Sequence, residues 1–316
     1  MAEADVQPPA LIHSTQRYLE GPEATELHTV IIWTNDLSPA TKGDGKIWVI
    51  YIHGGAWRDP AVDSMAFEPT VSNLWTSSKN SAIGAFASIN YRLSPYPSHA
   101  QKPSNPNDSS RNVHHPAHLL DVANALLYLD EQYGIANRYI LAGHSAGATM
   151  AFQLSNSYLK DALLPTPTCV LGVAGIYHFD DFVEAHKHIP AYKEIMENAF
   201  PDHNVWEDAS PSLTKLSGPA LWEEAKVIII SHSDADELVE EGQSSTMIKR
   251  ARSIVQAERV HSIQTTGKHD EVWENEWNIK VGKSRVNHLL SSPSDDNRDA
   301  VTFSRMVLLT ILILQS

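Results

Sequence analysis

The sequence predicts an α/β fold, with a mostly parallel central sheet, helices on both faces and a small cap insertion. Two observations predict it. Strand-like apolar runs alternate with helix-like segments along the chain, which is the pattern of a parallel sheet covered on both faces. Between residues 176 and 222 this pattern breaks into short helical pieces rich in His, Asp, Pro and aromatic residues. We therefore expect one domain over residues 1–316, with a cap at about 176–222 between two core strands.

Local patterns place strands and one long helix in this framework. Residues 118–133 are predicted to form a helix buried on one side, because apolar residues recur there at helical spacing, and Gly134 ends it. An early strand at residues 27–33 is expected to be antiparallel. Apolar runs predict further strands at residues 47–52, 83–91, 139–142, 226–231 and 260–266.

The most informative motif is Gly-His-Ser-Ala-Gly at residues 143–147, between an apolar run and a helix-forming one. This is the G-x-S-x-G sequence of a nucleophile elbow, a sharp strand-to-helix turn that strains the backbone of the serine. Only residues as small as Gly143 and Gly147 let strand and helix approach so closely. The motif predicts Ser145 as a nucleophile and directs the amide of Ala146 toward an oxyanion beside it. Taken alone, the same five residues could form an ordinary tight turn.

A loop with paired glycines follows the strand at residues 47–52. In α/β-hydrolases the loop at this place supplies the other oxyanion donor, because two glycines let the chain turn its N–H groups toward the substrate. Gly55 is the first candidate donor, with Gly54 or Ala56 as a second, and the sequence does not show which amides point inward. The alternative is a loop that only carries a packed tryptophan. The motif consists of His53, Gly54, Gly55, Ala56 and Trp57.

A serine hydrolase of this fold carries its acid and its base later in the chain, in the order Ser, Asp or Glu, His. The strand at residues 226–231 opens into a loop with Asp234 and Asp236, which places a carboxylate at the C-terminal end of that strand. The last predicted strand is followed by His269. The chain has 16 histidines, and the position after the final strand indicates His269 as the base.

Composition argues against several function classes. A net charge of −14 with no basic run argues against nucleic acid and anionic membrane surfaces as partners. The acidic start of the chain does not resemble a secretory signal, and the only cysteine, Cys169, lies in an apolar run where burial is expected. The apolar stretch at residues 306–314 is shorter than the roughly 20 residues that span a bilayer, and we expect it to pack as a terminal helix. These features predict a cytoplasmic protein.

Cofactor and metal sites are not predicted. The sequence lacks the glycine-rich motifs that bind nucleotides. His114 and His118 have a spacing that could share a helix face, but Pro116 lies between them and no glutamate follows the first histidine. His186 and His188 in the cap are expected to face solvent.

Two polar segments, at residues 98–112 and 291–299, have no hydrophobic pattern and predict mobile surface loops. The sequence contains no internal repeat. It leaves the oligomeric state open, with a homodimer among the alternatives.

Residues 53–57 resemble the H-G-G-x-W motif of kynurenine formamidases, or arylformamidases, rather than the H-G-G-G motif of hormone-sensitive-lipase-like esterases. The resemblance covers about residues 45 to 275. The elbow and triad blocks are shared by the whole α/β-hydrolase superfamily, so only the H-G-G-x-W block is specific to the formamidases. Similar blocks follow in the same order at residues 90–95, 143–147, 234–239 and 267–269.

The resemblance implies hydrolysis of N-formyl-L-kynurenine, a small molecule, to L-kynurenine and formate in the cytosol without a cofactor. It also implies that Asp236 completes the triad with Ser145 and His269, because Asp236 stands three residues before Val239, as in the acid loop of the superfamily. Two alternatives stay open. One is a short-chain carboxylesterase that uses the same residues, and the other is a non-catalytic binding protein with a hydrolase fold.

Two other aspartates compete for the role of the acid. Asp234 lies nearer the strand and is expected to cap the turn with its side chain, because aspartate readily bonds the backbone two residues on. Asp270 adjoins His269, and a neighbouring side chain rarely swings round to reach Nδ1 of the imidazole. Asp236 is therefore preferred to both.

Overall fold

One sheet of eight strands runs through the described part of this computed structural model, which comprises residues 11–35, 45–76, 82–159, 161–213, 218–271 and 307. The strands are β1 (Ile12–Arg17), β2 (Thr29–Thr34), β3 (Ile47–Ile52), β4 (Ile83–Ile89), β5 (Tyr139–His144), β6 (Cys169–Val173), β7 (Val227–Ser233) and β8 (Val260–Thr265). The helices are α1 (Glu68–Thr76), α2 (Ala117–Tyr133), α3 (Ala146–Gln153), α4 (Phe179–Ala185), α5 (Pro190–Ala199), α6 (Trp206–Ala209), α7 (Leu221–Glu224) and α8 (Glu241–Ile254).

The strands lie in the order β1-β2-β4-β3-β5-β6-β7-β8 across the sheet. β2 is antiparallel to both of its neighbours, and all pairs from β4 to β8 are parallel. This confirms the mostly parallel sheet and the antiparallel early strand. β1 lies outside the predicted strands, because its side chains are largely exposed and its sequence has no apolar run.

The two faces of the sheet bury separate apolar clusters. Along β3, Trp48 and Ile50 face one cluster, whereas Val49 and Tyr51 face the other. Successive side chains of a strand point to opposite faces, so a strand covered on both sides appears in the sequence as a continuous apolar run. Helices α2, α3 and α8 contribute to the first cluster and α1 to the second, which confirms that helices cover both faces.

Two predictions about the helices and the cysteine are confirmed. α2 begins one residue earlier than predicted and ends at Gly134, whose φ of 63° suits a residue without Cβ. Cys169 is fully buried at the start of β6. Val307 is the single described residue of the apolar stretch at 306–314, and it is helical and buried in the second cluster.

Helices α4, α5 and α6 lie between β6 and β7, in the stretch where the sequence predicts the cap. No helix in the described ranges is long and apolar enough to cross a membrane.

The polar segment at residues 98–112 contains no helix or strand, but hydrogen bonds hold it against the rest of the fold. The hydroxyl of Ser110 is buried and donates to Glu26 at 2.8 Å, and its carbonyl accepts the amide of Leu93 at 2.8 Å. The segment is therefore an anchored loop rather than the loose one expected, because polar anchors leave no apolar pattern in a sequence. The second polar segment, 291–299, lies outside the described residues.

Candidate active site

Ser145 stands in a strained turn between β5 and α3. Its backbone has φ 52° and ψ −122°, an uncommon conformation for a residue with a side chain. Such strain persists where the surrounding structure enforces it, and it clusters at functional sites. Here the amide of Ser145 donates to the carbonyl of Val173 in β6 at 2.9 Å, which ties the turn to the sheet. The serine is 7% exposed.

Gly143 and Gly147 permit this turn. A Cβ at Gly143 would lie 2.4 Å from the backbone of Gly147, and a Cβ at Gly147 would lie 2.1 Å from the carbonyl oxygen of Ile52. No side chain fits at these distances. The structure therefore confirms the close approach of strand and helix, and it brings α3 against the end of β3.

Asp236 and His269 form a buried pair. Nδ1 of His269 lies 2.8 Å from Oδ2 and 3.0 Å from Oδ1 of Asp236. Oδ1 also accepts the amides of Leu238 and Val239, each at 2.9 Å, which gives a physical reason for the D-x-x-V spacing. Burial would raise the pKa of Asp236, but the hydrogen bond from His269 and the two amides outweigh it and hold the pKa below its usual value. Since a carboxylate only accepts, Nδ1 carries a proton.

Asp234 points away from this pair. Its carboxylate accepts a hydrogen bond from Nε2 of Gln264 on β8. The prediction that Asp234 caps the turn is wrong, because the amide two residues on, that of Asp236, already donates to the carbonyl of Ser233 at 3.0 Å. The hydroxyl of Ser233 accepts the amide of Ala235 instead.

His269 is held beside the elbow by two contacts of its backbone. Its carbonyl oxygen lies 3.1 Å from Nε2 of His144, the residue before Ser145, and the two imidazole centroids are 4.6 Å apart. Its amide donates to the carboxylate of Glu237 at 3.1 Å. Sequence reasoning missed both partners, because the variable position of G-x-S-x-G and an exposed glutamate carry no signal of their own. Burial lowers the pKa of His144 well below its usual value, so its imidazole is neutral.

In the described ranges, His144, His269 and Asp270 hold potential metal-ligand atoms within 4.8 Å of one another. Nε2 of the first histidine and Nδ1 of the second already make hydrogen bonds. A metal bound through those atoms would break the contacts that hold His269 against Asp236 and His144. The other pair considered, His114 and His118, binds a backbone carbonyl and a serine hydroxyl respectively.

The loop after β3 lies against the elbow. Gly55, Ala56 and Trp57 have consecutive positive φ values of 86°, 50° and 59°. A Cβ at Gly54 would lie 3.2 Å from Cβ of Ser145, so the first glycine of the loop lies next to that serine. Within the described part of the chain, no protein acceptor binds the amides of Gly55, Ala56 or Ala146. These N–H groups are the candidates for binding an oxyanion.

Trp57 joins this loop to helices α4 and α5. Its ring is fully buried and packs edge to face on Phe200 at 5.2 Å and on Phe179 at 6.3 Å. The adjacent Arg58 donates to Glu194 of α5 at 2.8 Å. The tryptophan of the H-G-G-x-W motif thus holds the loop against helices α4 and α5, and with no accessible surface it cannot form the wall of an open pocket.

His186 of the cap does not face solvent as expected. Its ring stacks on Tyr192 at 4.0 Å, and its Nδ1 lies 2.9 Å from the carbonyl oxygen of Phe182. The expectation fails because α4 and α5 pack against each other at this point. His188 is exposed, as predicted.

Comparison with known proteins adds the family. The BD-FAE family matches residues 37–250. A kynurenine formamidase-like hydrolase of Fusarium equiseti is 35% identical over 268 residues, which are 81% of this chain and 88% of that protein. A kynurenine formamidase of Aspergillus versicolor is 33% identical over 278 residues, 81% of this chain and 93% of that protein. One of Meyerozyma guilliermondii is 31% identical over 79% of this chain and 86% of that protein.

A solved structure of esterase B from Lactobacillus rhamnosis superposes with a TM-score of 0.60 at 18% identity, over 86% of this chain and 83% of that one. This similarity shows the α/β-hydrolase fold. The identities with the fungal relatives extend over most of both chains. The chain belongs to the kynurenine formamidase family of the α/β-hydrolase superfamily.

Proposed function

We propose that this protein hydrolyses the formamide of N-formyl-L-kynurenine to L-kynurenine and formate. The observation that carries the proposal is the buried Asp236–His269 pair, with Nδ1 of the imidazole 2.8 Å from the carboxylate, held beside a strained Ser145. The three residues follow the chain order Ser, Asp, His of an α/β-hydrolase, and they supply the nucleophile, acid and base of a serine hydrolase. The substrate is proposed from the relatives named kynurenine formamidase and from the H-G-G-x-W loop.

In the first half of the proposed reaction, Oγ of Ser145 attacks the formyl carbon while His269 takes the hydroxyl proton. The carbonyl oxygen becomes an oxyanion, which the N–H groups of Ala146 and Gly55 bind. His269 then passes its proton to the aromatic amine nitrogen as the C–N bond breaks. The amine leaves as L-kynurenine, and a formyl ester remains on the serine.

In the second half, His269 removes a proton from water, and the resulting hydroxide attacks the formyl ester. The second tetrahedral intermediate uses the same N–H groups. It collapses to formate, and the imidazole returns the proton to Oγ of Ser145. Asp236 stays ionised throughout and stabilises the imidazolium, which suits a carboxylate whose pKa lies below its usual value.

We also propose that residues 176–222 act as the cap of one catalytic domain and cover the substrate from the side of α5. Two contacts support this role. Trp57 packs under the cap, and Arg58 donates to Glu194 at 2.8 Å, so the cap and the oxyanion loop are one packed unit.

The experiment compares turnover of N-formyl-L-kynurenine with turnover of a short nitrophenyl ester by the wild-type protein and Ser145→Ala. We expect kcat/KM for the formamide to exceed that for the ester, with both activities lost in the variant. Preference for the ester would favour a carboxylesterase. A fluorophosphonate that labels neither protein, with no turnover of either substrate, would indicate a non-catalytic binding protein.

A further inference from the structure

The hydroxyl of Tyr91 contacts two consecutive carbonyl groups of the oxyanion loop. Its single O–H proton is shared between the carbonyl oxygens of Gly54, at 2.9 Å, and His53, at 3.0 Å. Tyr91 is fully buried, and its ring stacks on the imidazole of His53 with centroids 4.2 Å apart and an angle of 15° between the planes. The tyrosine therefore fixes both peptide groups from the side of the core.

The carbonyl of Gly54 has a second donor. Nδ1 of His53 lies 3.0 Å from it and carries the proton of this hydrogen bond, since a carbonyl only accepts. Burial lowers the pKa of His53 to about 4, so the imidazole is neutral near pH 7 and has one N–H to give. The hydroxyl of Tyr91 and the Nδ1–H of His53 thus both hold the carbonyl oxygen of Gly54.

The orientation of these carbonyls determines where the amides point. In a planar trans peptide the C=O and the following N–H point in opposite directions. The carbonyl of His53 is paired in this way with the N–H of Gly54, and the carbonyl of Gly54 with the N–H of Gly55. Both carbonyls face the buried hydroxyl of Tyr91. Both N–H groups therefore point away from that hydroxyl, and the loop that carries them lies next to Ser145, since a Cβ at Gly54 would be 3.2 Å from Cβ of Ser145.

We propose that Tyr91 is a positioning residue for the oxyanion hole, which holds the Gly54–Gly55 peptide so that the N–H of Gly55 acts together with that of Ala146. The inference rests on the proposed serine hydrolase function and adds the residue that orients its donor. Tyr91 itself does not touch the substrate, because its hydroxyl is buried beneath the loop.

The test is Tyr91→Phe, which keeps the ring on His53 and removes only the hydroxyl. Complete loss of an oxyanion donor lowers kcat by about 10²- to 10³-fold, so a donor that is present but less well aligned should lower it by about 10- to 100-fold. We expect KM for N-formyl-L-kynurenine to change less than about twofold. Phenylboronic acid, whose tetrahedral adduct with serine places an oxygen in the hole, should lose affinity by a factor similar to that in kcat.

Tyr139→Phe is the matched control. Tyr139 is equally buried, and its hydroxyl donates to the carbonyl of Pro165 at 2.7 Å, away from the elbow. Both variants lose a buried hydrogen bond to a carbonyl and should lose similar thermal stability, but only Tyr91→Phe should lower kcat. Equal kcat in both variants and wild type, or a loss that appears only in KM, would overturn the positioning role.

Ser145→Ala keeps the two proposals apart. If Ser145→Ala is inactive while Tyr91→Phe turns over and binds phenylboronic acid like the wild type, the positioning role of Tyr91 fails and the proposed function stands. If Ser145→Ala retains wild-type turnover, the serine hydrolase mechanism on which both proposals rest fails, whatever Tyr91→Phe does.

Discussion

Nε2 of His144 lies 3.1 Å from the carbonyl oxygen of His269, so the residue before the proposed nucleophile holds the backbone of the proposed base. The two residues are 125 positions apart in the chain. The imidazole is neutral because burial lowers its pKa, and its Nε2–H is therefore the donor to the carbonyl. This contact links the elbow directly to the loop after β8.

Replacement of His144 should lower activity through the position of the base. We expect His144→Leu to lower kcat by about 10- to 100-fold, because a displacement of about 1 Å at a catalytic group can reduce the rate by 10². His144→Gln keeps an N–H of comparable reach and should retain more activity than the leucine variant. Steady-state kinetics of both variants test this, and equal kcat values for the two would contradict a role of the hydrogen bond.

Substitutions of Ser145 should separate catalysis from backbone strain. Ser145→Ala and Ser145→Gly should both lower kcat by about 10⁶-fold, because each removes the nucleophile. Only the glycine variant relieves the positive φ of 52°. It should therefore be more stable than Ser145→Ala by about 1–3 kcal/mol. Denaturant unfolding of the two inactive variants measures the difference, and identical midpoints would show that the elbow is not strained.

The choice between the two aspartates of the acid loop can be tested directly. Asp236→Asn should lower kcat by about 10⁴-fold, because an amide stabilises the wrong tautomer of His269. Asp234→Asn should affect stability more than kcat, since its carboxylate binds Gln264 on the neighbouring strand. Measurement of kcat for both variants at pH 7 decides the matter. A large loss confined to the Asp234 variant would reassign the acid.

The acyl side of the substrate should be sharply restricted. Trp57 packs the loop at residues 53–57 against Phe179 and Phe200, so we expect this side of the site to be rigid and to admit little more than the formyl hydrogen. Formanilides should therefore be cleaved at least about tenfold faster than the matching acetanilides, in the range that one additional carbon commonly causes. Trp57→Ala should reduce this ratio by loosening the cap. Comparable rates for the two anilides with the wild-type protein would contradict the restriction.

Acid should destabilise the protein through buried histidines. Burial lowers the pKa of His53 and His115 to about 4 and that of His118 to about 3, so from pH 6.5 downward the unfolded chain binds protons that the native chain does not. The contribution of these histidines to the free energy of unfolding is therefore fully present above about pH 6.5 and is lost as the pH is lowered toward 4. Each of these histidines should account for about 2 kcal/mol of the loss at pH 5.

Urea unfolding at pH 7 and pH 5 checks this prediction. His118→Gln should lose less stability between the two pH values than the wild type, because glutamine takes up no proton. His188 is exposed, and His188→Gln should leave the pH dependence unchanged. An equal loss in His118→Gln and wild type would show that His118 does not contribute.

Local patterns determined the fold class, the main strands, α2 and the turn that carries the proposed nucleophile. A strand covered on both faces must be apolar throughout. The elbow must have glycine at positions 143 and 147, because a Cβ at either position would lie only 2.1–2.4 Å from a neighbouring backbone atom. Such requirements concern neighbours in the chain, so the sequence shows them directly. The selection of Asp236 over Asp234 depended on a resemblance, and the two amides of Leu238 and Val239 now give it a physical basis.

The contacts between distant segments were decided only by the tertiary structure. Tyr91 and Gly54 are 37 positions apart, and His144 and His269 are 125 apart, yet each pair shares a hydrogen bond. A buried tyrosine or histidine looks the same in a sequence whether its polar atom supports the site or the core. Likewise, either Ser233 or Asp234 could cap the turn after β7, and only the structure shows that the hydroxyl of Ser233 does so. The sequence by itself thus determined the candidate catalytic residues. Packing of the sheet, the loop after β3 and helices α4 and α5 decided which side chains hold them in position, because those partners meet only after the chain has folded.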